Sequence, residues 1–422
     1  MLDVTFFALG MAFLDSSAVL PILLQRLGAT GTIIGAFAAM RSFVFSAPQI
    51  IVAYYTHGRR RQKPWLALVA TVTRLPLLAM PFMLLHAGES RIDAARALWA
   101  MILILTFWAL GDGLGYVPWM EIVARAFDAR TRGRFFAISQ IASGLGSIGI
   151  GLLAVRFVLN SSRFQYPVNY AILAGAAALL FQVSLGGVLM IREPDAPVDE
   201  SAAEEEQVAR TPVRVYLRRL LELLGENPVF VKLAAIQLLL GFGSAASSFY
   251  VLYAKQRYHT GDHWGGIYQA LQALGVVVLM PLWALISERR NPASAVKGLA
   301  IVVVATPLIA LTLGTISPWA FGLVYFLMGG SLGWGLWIVM NHYLLSHIAE
   351  LERPLYVALL NLLFVPSALF PYIGGLLISD KAFRLWRGIP ILFVLTLVVV
   401  LFGMVLAMTL ARVDETPVVA AC

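Results

Sequence analysis

Long apolar runs recur along this chain with little between them, and that recurrence constrains the fold more than any motif does. Twelve candidate spans stand out, at residues 4–25, 31–55, 64–86, 96–122, 134–156, 168–191, 229–254, 264–287, 296–314, 318–346, 354–379 and 388–411. A hydrocarbon core of ~30 Å is crossed by about 20 residues of α-helix, the length these runs have. They lack the period-two alternation of barrel strands, so a β-barrel is excluded. Composition agrees: 60% of the 422 residues are hydrophobic and 13% charged, with a mean hydropathy of +0.81. A soluble domain is closer to half apolar and a quarter charged. The expected fold class is an all-α membrane protein, twelve transmembrane helices in two six-helix pseudo-repeat halves. The first run has no basic stretch before it and is read as a retained helix, not a cleavable signal. The single cysteine, Cys422, allows no disulfide framework.

The net charge of +8 resolves once the basic residues are located. With both ends on the cytoplasmic side, the cytoplasmic loops and tail hold 18 Lys and Arg against 10 on the opposite side. The positive-inside rule therefore favours cytoplasmic termini in a cytoplasmic membrane. The longest loop divides the chain into an N-terminal bundle (1–191), a linker (192–228) and a C-terminal bundle with a short tail (229–422). Residues 192–211 are acidic and Pro/Ala-rich, the composition of a disordered linker. In "PVRVYLRRLLELLGENP", Val213, Tyr216, Leu220 and Leu224 fall on one helical face, Arg214, Arg218 and Glu222 on another. That pattern reads as an amphipathic helix on the cytoplasmic leaflet or as a solvated linker helix. The halves also echo each other at a spacing of roughly 230 residues: "LGATGTIIGAFAAM" with "YHTGDHWGGIYQAL", and "RGRFFAISQ" with "ERPLYVALLN". Two joined six-helix halves are the parallel-repeat plan of one large transporter class.

These features resemble the major facilitator superfamily over essentially the whole chain. The family's loop signature after its second helix reads Gly-x-Leu-Ala-Asp-Arg-x-Gly-Arg-Arg. Here Gly58, Arg59 and Arg60 match its end, while Tyr55 replaces the acidic residue and Ile51 the first glycine. The second half keeps Ser287, Glu288 and Arg289 in "WALISERR", and Arg132 and Gly133 resemble the Arg-Gly turn after the fourth helix. The resemblance implies secondary transport by alternating access, with the first and fourth helices of each half lining a central cavity. It also implies a cytoplasmic gate at Gly58, Arg59, Arg60, Arg132, Gly133, Glu288 and Arg289, near which Glu121 would pair with Arg125.

Ionisable residues inside spans are costly, so they should face the bundle interior and serve a pathway. Asp15, Arg41, Arg74 and Asp112 are such residues. Asp15 and Arg41 fall at the midpoints of adjacent helices, so they could form an ion pair. Asp15 is then a structural lock, a proton-coupling site, or a contact for a cationic substrate. Asp112 shares a helical face with Trp108, Tyr116 and Trp119. An acid among aromatics suits an amphipathic or cationic ligand, or a stacked sugar; neighbouring Gly111, Gly113 and Gly115 suit helix packing instead. Arg74 is expected to be structural, because the family's third helices are peripheral.

The second half offers polar stripes: Gln237 with Ser244, Tyr268 with Gln272, and Trp334 and Trp337 with Asn341. Amides and indoles of this kind line neutral or mixed-polarity substrate sites, or bond between helices. The expectation is a proton-coupled transporter of a small organic solute. A drug-like exporter is favoured over a sugar or metabolite importer, and a non-transporting sensor or assembly partner is the alternative from another class. The partners expected are that solute, protons and the lipid bilayer, with the chain a monomer.

An enzyme is not expected. No Gly-x-x-x-x-Gly-Lys-Ser/Thr phosphate loop or HExxH motif occurs, and "GLGSIGIG" lies inside a membrane helix, not after a strand. No cofactor or metal site is expected. Nucleic acid has no case, since the basic residues cluster at membrane edges.

Overall fold

A computed structural model describes residues 2–56, 61–87, 90–127, 129–193, 228–348, 356, 359–360, 365–379 and 388–410. All regular structure among them is helical: α1 (Leu2–Phe13), α2 (Val19–Arg26), α3 (Gly31–Thr56), α4 (Lys63–Arg74), α5 (Met80–His86), α6 (Arg91–Ala126), α7 (Ala129–Gly149), α8 (Arg156–Asn160) and α9 (Val168–Met190). They are followed by α10 (Pro228–Gly241), α11 (Tyr250–Tyr258), α12 (Trp264–Arg289), α13 (Pro292–Leu311), α14 (Pro318–Ser331), α15 (Trp334–Leu345), α16 (Phe370–Ser379) and α17 (Ile389–Met408).

Nine helical stretches among the described residues are long and apolar enough to cross a membrane. The first expected span is split into α1 and α2, the second is the 26-residue α3, and the eleventh contributes the shorter Val365–Ile378. The twelve-helix expectation is consistent with this set.

Several spans are interrupted, for local reasons. Pro76 and Pro81 each remove a backbone donor, and between α4 and α5 the chain tightens into a 3-10 turn at Leu75–Ala79. A 3-10 stretch at Phe242–Phe249 joins α10 to α11. Between α14 and α15, Gly333 takes a positive φ of 60°, which a glycine adopts without a Cβ clash.

The chain divides into two compact units: residues 1–30, 37–212 and 261–266 form the first, and residues 31–36, 213–260 and 267–422 the second. In the first, α1 packs along α9 and α4 along α6. Phe7, Trp108 and Phe181 meet there with ring centroids 4.9–5.9 Å apart. A Cβ at Gly113 would run into the Phe45 carbonyl oxygen, so α3 and α6 touch backbone to backbone. The second unit has its own core, in which Leu240, Val296, Leu299, Met340 and Val400 are fully or almost fully buried. There α12 and α14 also meet at glycines: a Cβ at Gly329 would strike the Gln272 carbonyl, one at Gly275 the Phe326 carbonyl. Trp283 Nε1 donates to the Gly330 carbonyl at 2.8 Å beside this contact.

Candidate functional site

The break in the first span is built around Asp15. Its Oδ1 accepts the backbone N–H groups of Ser17 (2.9 Å) and Ala18 (2.7 Å). Its own carbonyl accepts those of Val19 (3.1 Å) and Leu20 (2.8 Å). One residue thus takes up four amides at the start of α2, donors that water cannot satisfy in a bilayer. Asp15 and Arg41 do not form an ion pair; the Arg41 guanidinium instead lies over the Trp108 ring, 5.9 Å from its centroid.

A charge cluster of the first unit centres on Arg74, the arginine expected to be structural. Arg74 is only 6% exposed. Its Nη1 donates to Ser184 Oγ at 2.9 Å and approaches Asp3 Oδ1 at 3.5 Å; its Nη2 lies 3.9 Å from Asp112 Oδ1. Ser184 Oγ donates in turn to Asp3 Oδ1 at 2.6 Å, and Trp119 Nε1 to Asp3 Oδ2 at 2.9 Å. Gln182 Nε2 donates to the Arg74 carbonyl, where the 3-10 turn begins, at 2.9 Å. The guanidinium also lies 5.4 Å from the centroid of Phe7. Helices α1, α4, α6 and α9 each supply a member. A lone arginine at this depth is costly, and two carboxylates with a hydroxyl relay are the compensation.

The aromatic face of α6 is largely taken up inside the unit. Trp108 is 3% exposed and packs between Phe7 and Phe181. Tyr116 sits edge-on to Phe45 at 5.7 Å, and Trp119 is committed to Asp3. The glycines of the same helix serve close packing, Gly111 against Thr73 and Gly113 against Phe45.

Two further charged contacts brace this unit. Glu193 accepts from the backbone N–H groups of Gln62 (2.6 Å) and Lys63 (2.8 Å), capping α4 from a distant part of the chain. Arg125 lies 3.5 Å from Glu193 and donates to Glu121 at 2.9 Å, the expected i,i+4 pair. Elsewhere Arg26 donates to both oxygens of Asp262, which also accepts from the Tyr170 hydroxyl at 3.0 Å.

In the second unit the polar stripes are placed differently from one another. Gln237 is 1% exposed, and neither its amide nitrogen nor its amide oxygen has a hydrogen-bond partner among the described residues. Asn341 donates to the Trp337 carbonyl at 2.8 Å, while among the described residues its Oδ1 and the Gln272 Oε1 have no partner. Ser244 is half-buried and accepts from Ser247 through its carbonyl. Tyr268 is fully buried, stacked on Tyr325 at 4.6 Å, with its hydroxyl donating to the Pro318 carbonyl at 3.2 Å. These are the contacts of a core residue.

Of the residues expected at the gate, Glu288 and Arg289 are exposed at the end of α12, behind Ser287, which hydrogen-bonds His342 at 3.2 Å. Gly58, Arg59 and Arg60 lie outside the described residues, as do the side chains of Arg132, Gly133 and Trp334.

The sequence reading missed Asp3, Ser184, Glu193 and Asp262. Asp3 lies one residue before the first apolar run, and Ser184 is a single hydroxyl in an apolar helix. The signal that could have found them was Arg74 itself, since a buried arginine requires acceptors nearby.

The sequence profile of the Major Facilitator Superfamily matches residues 4–364. The chain belongs to that superfamily and is an integral membrane protein with a transporter fold. A solved D-xylose–proton symporter superposes with a TM-score of 0.68 at 11% identity, covering 98% of this chain and 97% of that one. A bacterial homologue of the human drug peptide transporters PepT1 and PepT2 gives 0.64 at 18% identity, with 96% and 95% covered. A bacterial homologue of the human lysosomal transporter Spinster, inward-facing and unoccupied, gives 0.65 at 13% identity, with 96% and 94% covered. A search of curated protein sequences returned no significant match.

Proposed function

We propose that this protein is a proton-coupled secondary transporter, with both termini on the cytoplasmic side of the cytoplasmic membrane, and that Asp112 carries the coupling proton. The observation that supports this is the contrast between its two central acids. Asp15 is committed to two backbone amides of a helix break. Asp112 is half-buried, accepts no hydrogen bond among the described residues, and its ion-pair contact among them is the 3.9 Å approach of Arg74. A carboxylate held so loosely in a low-dielectric site is suited to gaining and losing a proton.

The solute this reading favours is a small organic molecule rich in hydrogen-bonding groups. Gln237, Gln272 and Asn341 offer unmatched amide atoms, and an unpaired buried amide is costly until something bonds it. The amphipathic or cationic drug draws less support, because the Trp108 and Trp119 indoles that would receive it are occupied within the first unit. The test is uptake and counterflow in proteoliposomes with a panel of sugars, peptides, metabolites and cationic drugs. Asp112→Asn is expected to abolish proton-driven accumulation while leaving counterflow exchange. Accumulation that keeps its pH response in Asp112→Asn would overturn the coupling role; a response only to cationic drugs would overturn the solute class.

A further inference from the structure

We propose that Asp3 and Ser184 are positioning residues for proton coupling: they hold Arg74 so that Asp112 becomes the carboxylate the cluster can neutralise. This rests on the coupling role of Asp112 proposed above.

Charge counting carries the first step. Asp3, Arg74 and Asp112 together bear one surplus negative charge when both acids are ionised. The charged groups that act on Asp112 are Arg74 from α4, Asp3 from α1 and Arg41 from α3; the partners that α9 gives Arg74, Ser184 and Gln182, are neutral. The Arg41 charge is shared between Asp112 and Asp15 and makes no ion pair with either among the described residues. Within the three-membered cluster, one added proton gives neutrality, the inexpensive state for a buried site.

Geometry carries the second step, which carboxylate takes the proton. Three donors converge on Asp3: Arg74 Nη1, Ser184 Oγ and Trp119 Nε1, at 3.5, 2.6 and 2.9 Å. None reaches Asp112 among the described residues. Asp3 is the acceptor the cluster needs, and Asp112 is the one it can spare. When the Asp112 carboxylate binds a proton, Arg74 loses the 3.9 Å partner but keeps Asp3, directly and through the Ser184 hydroxyl. The guanidinium is therefore never left alone in the membrane. Without Asp3, Arg74 and Asp112 would balance each other, and the Asp112 carboxylate would no longer be surplus.

The experiment needs no solute. Infrared spectra of the purified full-length protein are recorded through a pH titration, and the carboxylic acid C=O band lost in Asp112→Asn is isolated by difference. Asp3→Asn is expected to move the midpoint of that band to lower pH by about one unit, a tenfold loss of proton affinity, the size expected when a charge at contact range changes its partner. Ser184→Ala should move it the same way by less, and Asp3→Glu should restore it. An unmoved midpoint in Asp3→Asn overturns the role of Asp3 and leaves that of Asp112 standing. If Asp3→Asn does not fold, an unmoved midpoint in Ser184→Ala is the overturning result. A parent protein with no band that Asp112→Asn removes overturns both.

Discussion

Arg26 and Asp262 are joined by a two-pronged ion pair, Nε to Oδ2 at 2.9 Å and Nη2 to Oδ1 at 3.2 Å, although 236 residues separate them in sequence. Asp262 is 6% exposed and receives a third donor, the Tyr170 hydroxyl. A bidentate pair fixes orientation as well as distance, so the segment around Asp262 is held in one register on the first unit. Asp262→Ala strands a buried hydroxyl and is expected to cost about 1–3 kcal/mol, whereas Tyr170→Phe, which removes donor without stranding a charge, should cost about 1 kcal/mol. Denaturant midpoints of the purified variants check the ranking; equal midpoints would show that the pair contributes nothing.

His263, next to this pair, gives the clamp a pH dependence. Burial first, and the Arg156 charge second, hold the imidazole below its ordinary value of 6.5, against the opposing pull of Asp262. A depressed value means the folded state binds the proton less readily than the unfolded one. The stability contribution is therefore complete above pH ~6.5 and declines as pH falls toward the folded value. His263→Gln should flatten the acid side of the melting-temperature profile between about pH 7 and pH 5. A profile as steep as the parent's would assign the acid loss to another group.

Asp15 separates structure from coupling in a single pair of variants. Asp15→Ala removes the acceptor for the Ser17 and Ala18 amides and is expected to cost about 1–2 kcal/mol, as for other helix caps. Asp15→Asn keeps an amide oxygen in place of Oδ1, so it should fold almost as well as the parent and keep the pH response of transport. Loss of that response in a stable Asp15→Asn protein would give Asp15 a share in proton movement.

Arg74→Met is expected to be strongly destabilising, at about 3 kcal/mol, because it leaves the half-buried Asp3 and Asp112 without their cation. Adding Asp3→Asn and Asp112→Asn to it should recover most of the loss. The check is the yield and thermal stability of the single and triple variants; a triple variant no better than Arg74→Met would mean that packing, not charge balance, makes the arginine necessary.

The membrane class, the helical fold and the superfamily were all legible in the sequence, because hydrophobic length is a property of whole segments and survives a few polar insertions. Single polar atoms are not averaged in that way. Asp15 reads as a costly charge in an apolar run, yet its carboxylate serves the backbone of its own helix break. Arg74 reads as peripheral from the order of helices, yet three other helices bring their polar groups to it. Those partners, Asp3 and Ser184, lie 71 and 110 residues away in sequence, and no local period relates them.

The break at Gly333 has a consequence for the helices beside it. Just before it, Gly329 presses on the Gln272 carbonyl and Trp283 holds the Gly330 carbonyl, so α14 is bolted to α12. Just after it begins α15, which carries Trp337 and Asn341. The joint therefore lies between two bolts, since Ser287 of α12 also hydrogen-bonds His342 of α15 beyond it. With Leu336, Met340 and Tyr343 of α15 buried in the same core, the turn at one glycine sets the aim of an indole and an amide together. A change at that single position would redirect both while leaving the backbone seam between α12 and α14 untouched.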